Sequence, residues 1–376
     1  MSERGQRSAE AGYHRADDGG ERERRRSAPG PTGYYGVPPV HKAHWKWLII
    51  AYFFLGGISG GSYVIAAIAR QVVPPNERTI VRAGRYLSLA TLIPCPLLLI
   101  LDLGRPSRFL HMLRVVKLRS PMSIGTWGII AFSGCSSASA LIQADADGLL
   151  PRGLSRITAM LPNRFVDAVG AALGLLVGGY TGVLLAATAV PIWTKRARWL
   201  GPLFLTSALS TAAAGIDIVV SVFDHRHHAE TARLRRLELV LLPVELALLS
   251  GWSTRLGSTA RPLREGSTGS AFRGASAGAG LVLPFLLHLA TPRLPGRVQR
   301  WMTLAASSLV LTGAFALRYA VVVAGQRSAD DPDATFDMTR ANAPINSGRS
   351  PSPSHVSGIA ADTPTAALPI ATPTSM

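Results

Sequence analysis

Six charged side chains stand in or at the edges of long apolar stretches: Asp102, Asp167, Asp217, Glu238, Glu245 and Arg318. A charge at mid-bilayer costs at least about 2.5 kcal/mol, so residues placed there face one another or an internal cavity. Glu245 and Arg318 lie deepest. Two readings stay open for them. One is a structural ion pair, because an unpaired buried charge is so costly. The other is proton handling or ligand contact, for which Asp217 is the third candidate.

Two other patterns hint at chemistry and then run short of parts. Gly57-Ile58-Ser59-Gly60-Gly61 fits the nucleophile pattern Gly-x-Ser-x-Gly. A serine nucleophile needs a base at membrane depth, and the one histidine well inside an apolar stretch is His288. A small-residue helix contact, with Ser59 bonded to its own backbone, is the simpler reading. That single histidine cannot supply both axial ligands of a b-type haem. Cys95 and Cys135, both inside apolar stretches, cannot hold an iron–sulfur cluster. The expectation is therefore no haem, no cluster and no metal in this chain. His225, His227 and His228 fall in a connection, where a solvated cationic loop is the plainer reading.

The elements that position these residues are long helices. Of 376 residues, 48% are hydrophobic and 16% charged, too apolar a balance for an ordinary soluble domain. Between Arg119 and Asp145, and between Asp167 and Lys195, no charged residue occurs. Each run is long enough as helix to cross roughly 30 Å of hydrocarbon. The pattern predicts an all-α membrane protein with about eight transmembrane helices, at 47 to 69, 84 to 103, 123 to 144, 167 to 191, 199 to 221, 236 to 252, 275 to 291 and 301 to 325. An even number puts both termini on one side of the cell membrane, and the excess of Lys and Arg on that side favours the cytoplasm.

Residues 1–33 and 328–376 have almost nothing to bury and read as disordered tails around a membrane domain at 34–327. The polar, Arg-rich stretch ahead of the first span argues against a cleavable signal peptide. The net charge of +17 is scattered over the connections, which fits anchoring among anionic lipid headgroups and not nucleic-acid binding. Trp45, Trp47, Trp127, Trp193, Trp199, Trp252 and Trp301 mark span ends, as an aromatic belt would. Pro94, Pro96, Pro243 and Pro284 predict kinks, and Gly57 and Gly61 with Gly174, Gly178 and Gly182 predict close helix contacts.

Four stretches carry a family resemblance. They are YYGVPPVHKAHWKWLIIAYFFLGGISGG at 34–61, LDLGRPSRFLHMLRVVKLRSPMSIGTWG at 101–128, YTGVLLAATAVPIW at 180–193 and LRYAVVVAGQ at 317–326. Together, and in this order, they resemble the NrfD/PsrC family of reductase membrane subunits. The resemblance implies two packed four-helix bundles. It also implies electron exchange between membrane quinone, menaquinone or ubiquinone, and a four-cluster ferredoxin-like iron–sulfur subunit that serves a molybdopterin subunit.

By position, the family's quinone contacts fall on Tyr52, where a histidine is frequent, and on Tyr180 of the YTG motif. Tyr52 keeps a hydrogen-bond donor but is not a group that titrates near neutrality. Asp102 of the LDLGRP motif is the substitute proton acceptor, with a surface pairing to Arg105 or Arg108 as the competing role. Arg105, Arg108, Arg114, Lys117 and Arg119 form a basic loop suited to docking an acidic iron–sulfur partner. A secondary transporter, or a structural anchor without an active quinone site, are the alternative functions.

Overall fold

The computed structural model describes residues 45–74, 78–104, 108–114, 116–117, 119–223 and 228–329. The expected tails lie outside these residues, except for the last turn of the final helix. Among the described residues eight helices are long and apolar enough to cross a membrane. They are α1 Trp47–Val72, α2 Thr79–Asp102, α3 Pro121–Ala146, α4 Asn163–Ala186, α5 Ala197–Phe223, α6 Thr231–Thr254, α7 Gly266–Arg293 and α8 Gly296–Ala329.

Local sequence explains where they begin, end and bend. Pro121 opens α3 and Pro162 precedes α4, positions where a missing N–H leaves no intrahelical bond unmade. Gly104 and Gly148 take positive φ two residues past the last helical positions of α2 and α3, a left-handed closure that glycine adopts without strain. α2 is interrupted at Ile93 and restarts at Pro94. α7 runs as π-helix from Ala271 to Val282, just ahead of Pro284, whose ring does not fit a regular α-helical ladder.

α1 to α4 pack together as one four-helix bundle and α5 to α8 as a second, joined where α1 and α4 lie against α5 and α1 touches α8. The most apolar stretches of α1 and α5 are 78% and 72% buried, against 28% for α2 and α6, so α1 and α5 form the centre. Small residues permit this. A Cβ on Gly60 would collide with the backbone of Gly174 on α4, and one on Gly61 with Ala208 on α5. The close α1–α4 crossing thus uses Gly60, not the expected Gly57 and Gly61, which turn to the second bundle. Gly280 and Gly313 bring α7 against α8 in the same way.

Tryptophan placement also departs from a simple belt. Trp47 and Trp301 are exposed, as lipid-interface anchors would be. Trp193 and Trp252 are buried in the protein core instead. Trp193 stacks on Trp45 with ring centroids 5.2 Å apart and donates its indole hydrogen to the Val321 carbonyl at 3.0 Å. A buried indole meets its N–H requirement this way while its ring fills the space between α1 and α8.

Candidate functional site

Tyr52 lies two turns or less into α1, about 8 Å along the helix from Trp47. Its ring is buried among Phe53, Ile49 and Leu92, and its hydroxyl has no hydrogen-bond partner among the described residues. Tyr180 of α4 stands at the same end of the bundle, and Val177, about one turn before it, packs in the same apolar cluster as Tyr52. The Tyr180 hydroxyl donates to the carbonyl of Pro121, the first residue of α3, at 2.5 Å. That contact needs Gly125, because a Cβ there would fall on the Tyr180 hydroxyl.

Asp102 closes α2 at the same membrane side. It lies beside Lys46, which precedes α1, and its Oδ1 is buried without a hydrogen-bond partner among the described residues. Tyr52, Tyr180 and Asp102 are therefore gathered at one end of the first bundle. Arg105 lies outside the described residues, as does the side chain of Arg108. Arg114, Lys117 and Arg119 are exposed on the connection between α2 and α3, which topology places on that same side.

The intramembrane charges form a second arrangement, along the interior of α5 to α8. Arg318 donates from Nη1 to Ser207 Oγ at 3.2 Å and from Nε to the Phe53 carbonyl at 3.2 Å. Ser210 donates to Glu245 Oε2 at 2.6 Å. Glu245 and Arg318 are thus joined through α5 hydroxyls, with no direct ion pair among the described residues. One level further, Ser307 donates to Asp217 Oδ2 at 3.1 Å, and His288 Nε2 meets Glu238 Oε2 at 2.5 Å. Among the described residues, Asp217 Oδ1, Glu238 Oε1 and His288 Nδ1 are buried without hydrogen-bond partners.

The two levels follow from helical geometry. Ser210 and Asp217 stand seven residues apart on α5, as do Glu238 and Glu245 on α6, so each pair shares a face about 10 Å apart along the axis. Ser307 and Arg318 share a face of α8 for the same reason, three turns apart. That spacing was readable in the sequence. The joining of His288 to Glu238 was not, since it depends on α6 meeting α7 at matching depth. Lys46, Gly125, Ser207, Ser210 and Ser307 are further site residues that residue type alone did not single out.

Asp167 belongs elsewhere. It sits at the opposite membrane side and accepts from Arg85 at 2.9 Å and from Arg70. Ser59 is no nucleophile: its hydroxyl is buried and donates to the Ser88 carbonyl on α2 at 2.8 Å, not to its own helix as expected. Ser88 and Ser136 then extend the hydroxyl series to α3, 3.0 Å apart. His288 is committed to Glu238. Cys95 and Cys135 are free thiols, and among the described residues no group of His, Cys, Asp and Glu is placed to hold a metal ion. His225 and His227 lie outside the described residues, as does the side chain of His228.

Eight spans in two bundles, with a buried phenol at one end and carboxylates inside, define a multi-pass membrane protein with a polar interior. Residues 39–329 match the family described as Polysulphide reductase, NrfD. Over 303 residues the sequence is 30% identical to a polysulfide reductase polypeptide of Wolinella succinogenes, covering 75% of this protein and 94% of that one. Over 202 residues it is 26% identical to a putative dimethyl sulfoxide reductase membrane subunit of Halobacterium salinarum, covering 50% of this protein and 45% of that one. The protein belongs to the NrfD family and is a membrane subunit of a reductase complex.

Proposed function

We propose that this protein is the quinone-reactive subunit of its complex, passing electrons between membrane quinone and an iron–sulfur subunit that serves a molybdopterin subunit. Tyr52 carries this reading: a buried phenol whose hydroxyl has no hydrogen-bond partner among the described residues, near the membrane surface and at the same bundle end as Tyr180. Quinol oxidation releases two electrons and two protons, so the site needs a hydrogen-bonding group at the ring oxygen and a proton acceptor. Tyr52 supplies the first. Asp102, with one oxygen unpartnered, supplies the second.

Tyr180 has its proton committed to the Pro121 carbonyl. In this reading it contributes its ring and the accepting capacity of its oxygen, and donates only after leaving Pro121. Arg114, Lys117 and Arg119, with Arg105 and Arg108, form the docking face for the iron–sulfur partner on the side nearest the quinone. Glu245, Arg318 and Asp217 are the proton-handling groups farther inside. The names of the Wolinella and Halobacterium relatives support a reductase complex, and menaquinone or ubiquinone both suit a phenolic donor.

The test is Tyr52→Phe in the assembled complex, which keeps the ring and removes the hydroxyl. Losing a hydrogen bond in a dry site costs about 1–3 kcal/mol, so quinone-coupled turnover should fall about tenfold. Electron transfer from the catalytic subunit to a soluble dye should be nearly unchanged. Unaltered quinone-coupled turnover rejects the site, and an equal fall in dye-linked turnover assigns Tyr52 to assembly instead.

A further inference from the structure

At the membrane side opposite Tyr52, two polar cavities adjoin one another and play no part in the proposed quinone site. One, of 390 Å³, is lined by Arg70, Arg78, Arg82, Arg85, Asp147 and Asn163 among others. The other, of 670 Å³, shares Arg70 and Arg78 and adds Arg164 and Asp167. Asp167 holds Arg70 and Arg85, and Asp147 accepts from Arg82 Nε at 3.0 Å. Among the described residues the lining brings five guanidiniums to two carboxylates, an excess of three positive charges. Arg78 Nε is buried and has no hydrogen-bond partner among the described residues.

A third cavity, of 500 Å³, is an open and mostly apolar groove between α2 and α5, lined by Ala83, Tyr86, Leu87, Ala90, Val219 and Phe223. Thr79 and Arg82 line both this groove and the 390 Å³ cavity, so the apolar and cationic spaces lie side by side. From Thr79 to Ala90 the groove follows α2 for about 16 Å. That is close to half of the roughly 30 Å hydrocarbon core, the depth of one leaflet.

We propose that this composite cavity binds an anionic phospholipid, with its phosphate at Arg78 and Arg82 and an acyl tail along the groove between α2 and α5. Charge complementarity selects the headgroup, since a cationic hollow at a membrane surface attracts anionic lipid. The groove selects a lipid over a free anion, because a soluble phosphate would leave its apolar wall uncovered. A zwitterionic lipid would fill the groove but leave the excess positive charge unmet. The occupant also covers the seam between the two bundles, since α2 belongs to the first and α5 to the second.

The experiment is native mass spectrometry of the delipidated full-length protein with three probes. These are phosphatidylglycerol, phosphatidylcholine with the same acyl tails, and glycerol phosphate. Phosphatidylglycerol should be retained over phosphatidylcholine. Arg78→Gln and Arg82→Gln should each lower its retention about fivefold, which is about 1 kcal/mol per cation at a lipid surface. Ala90→Trp, which keeps every arginine and fills an exposed part of the groove, should lower phosphatidylglycerol retention as well. Arg297→Gln, an exposed arginine at the same membrane side, should leave it unchanged. Equal retention of the two lipids overturns the proposal, as does displacement of phosphatidylglycerol by an equal concentration of glycerol phosphate. Full retention in Ala90→Trp, or an Arg297→Gln effect as large as that of Arg78→Gln, overturns it too.

Discussion

The guanidinium of Arg318 on α8 donates from Nε to the carbonyl of Phe53 on α1, 3.2 Å away. It ties the interior of the second bundle to the helix position next to Tyr52. Gly57 makes the approach possible, because a Cβ there would come within 2.9 Å of Arg318 Nη2. The same guanidinium bonds Ser207 and its own Ala314 carbonyl at 2.9 Å, so a buried charge is met from three helices. The result is a polar path whose links are specific hydrogen bonds, starting one residue from the proposed quinone contact.

Removing that charge should unbalance the interior. Arg318→Met leaves Glu245 buried near no cation of comparable placement, and losing one partner of a buried charge set costs about 3–5 kcal/mol. Thermal melting of the detergent-purified protein should show a large loss for Arg318→Met and a smaller one for Arg318→Lys. A methionine variant as stable as the parent would show that the guanidinium does not hold this interior together.

His288 and Glu238 should behave as a coupled pair. His288→Leu strands a buried carboxylate and should destabilise by about 3–5 kcal/mol. Combining it with Glu238→Leu should cost less than the sum of the two single changes, because nothing is then left unpaired. Additive losses in the double-mutant cycle would mean that the contact between them contributes no coupling.

The α1–α4 crossing gives a packing prediction. Gly60→Leu places side-chain atoms on the Gly174 backbone and should destabilise by about 1–3 kcal/mol. Gly134→Ala, where an added Cβ meets nothing within 4 Å, should be close to neutral in the same melt. Equal effects would count against glycine-mediated contact as the reason for the close crossing.

Gly125→Ala should mimic a change at Tyr180. The new methyl occupies the position of the Tyr180 hydroxyl and forces the ring off Pro121. Quinone-coupled turnover should change in Gly125→Ala as it does in Tyr180→Phe, with dye-linked turnover preserved in both. A Gly125→Ala complex with parental quinone kinetics would separate Tyr180 from the site.

Partner docking is expected on the Tyr52 side. Replacing Arg114, Lys117 and Arg119 by Glu should slow association of the iron–sulfur subunit several-fold at low salt. The same reversal at Arg293, Arg297 and Arg300, on the opposite side, should have little effect. Equal slowing in a binding assay would remove the argument for a dedicated face.

Sequence by itself determined the class and the spans. Charge-free runs of sufficient length, with polar connections between them, leave no soluble fold that buries them, and the four motif stretches identified the family. It also placed Tyr52, Tyr180 and Asp102 as candidates, because a motif fixes position along a helix. Tertiary structure decided which faces meet. Gly60 and not Gly57 meets α4, because rotation about the helix axis is set by packing on all sides at once. Trp193 and Trp252 turned inward, since an aromatic near a span end satisfies lipid interface and core equally in sequence. The bond from Tyr180 to Pro121, the contact of His288 with Glu238 and the hydroxyls between Glu245 and Arg318 each join residues far apart in the chain. Such contacts depend on the relative depth and rotation of neighbouring helices, which a span's own residues do not encode.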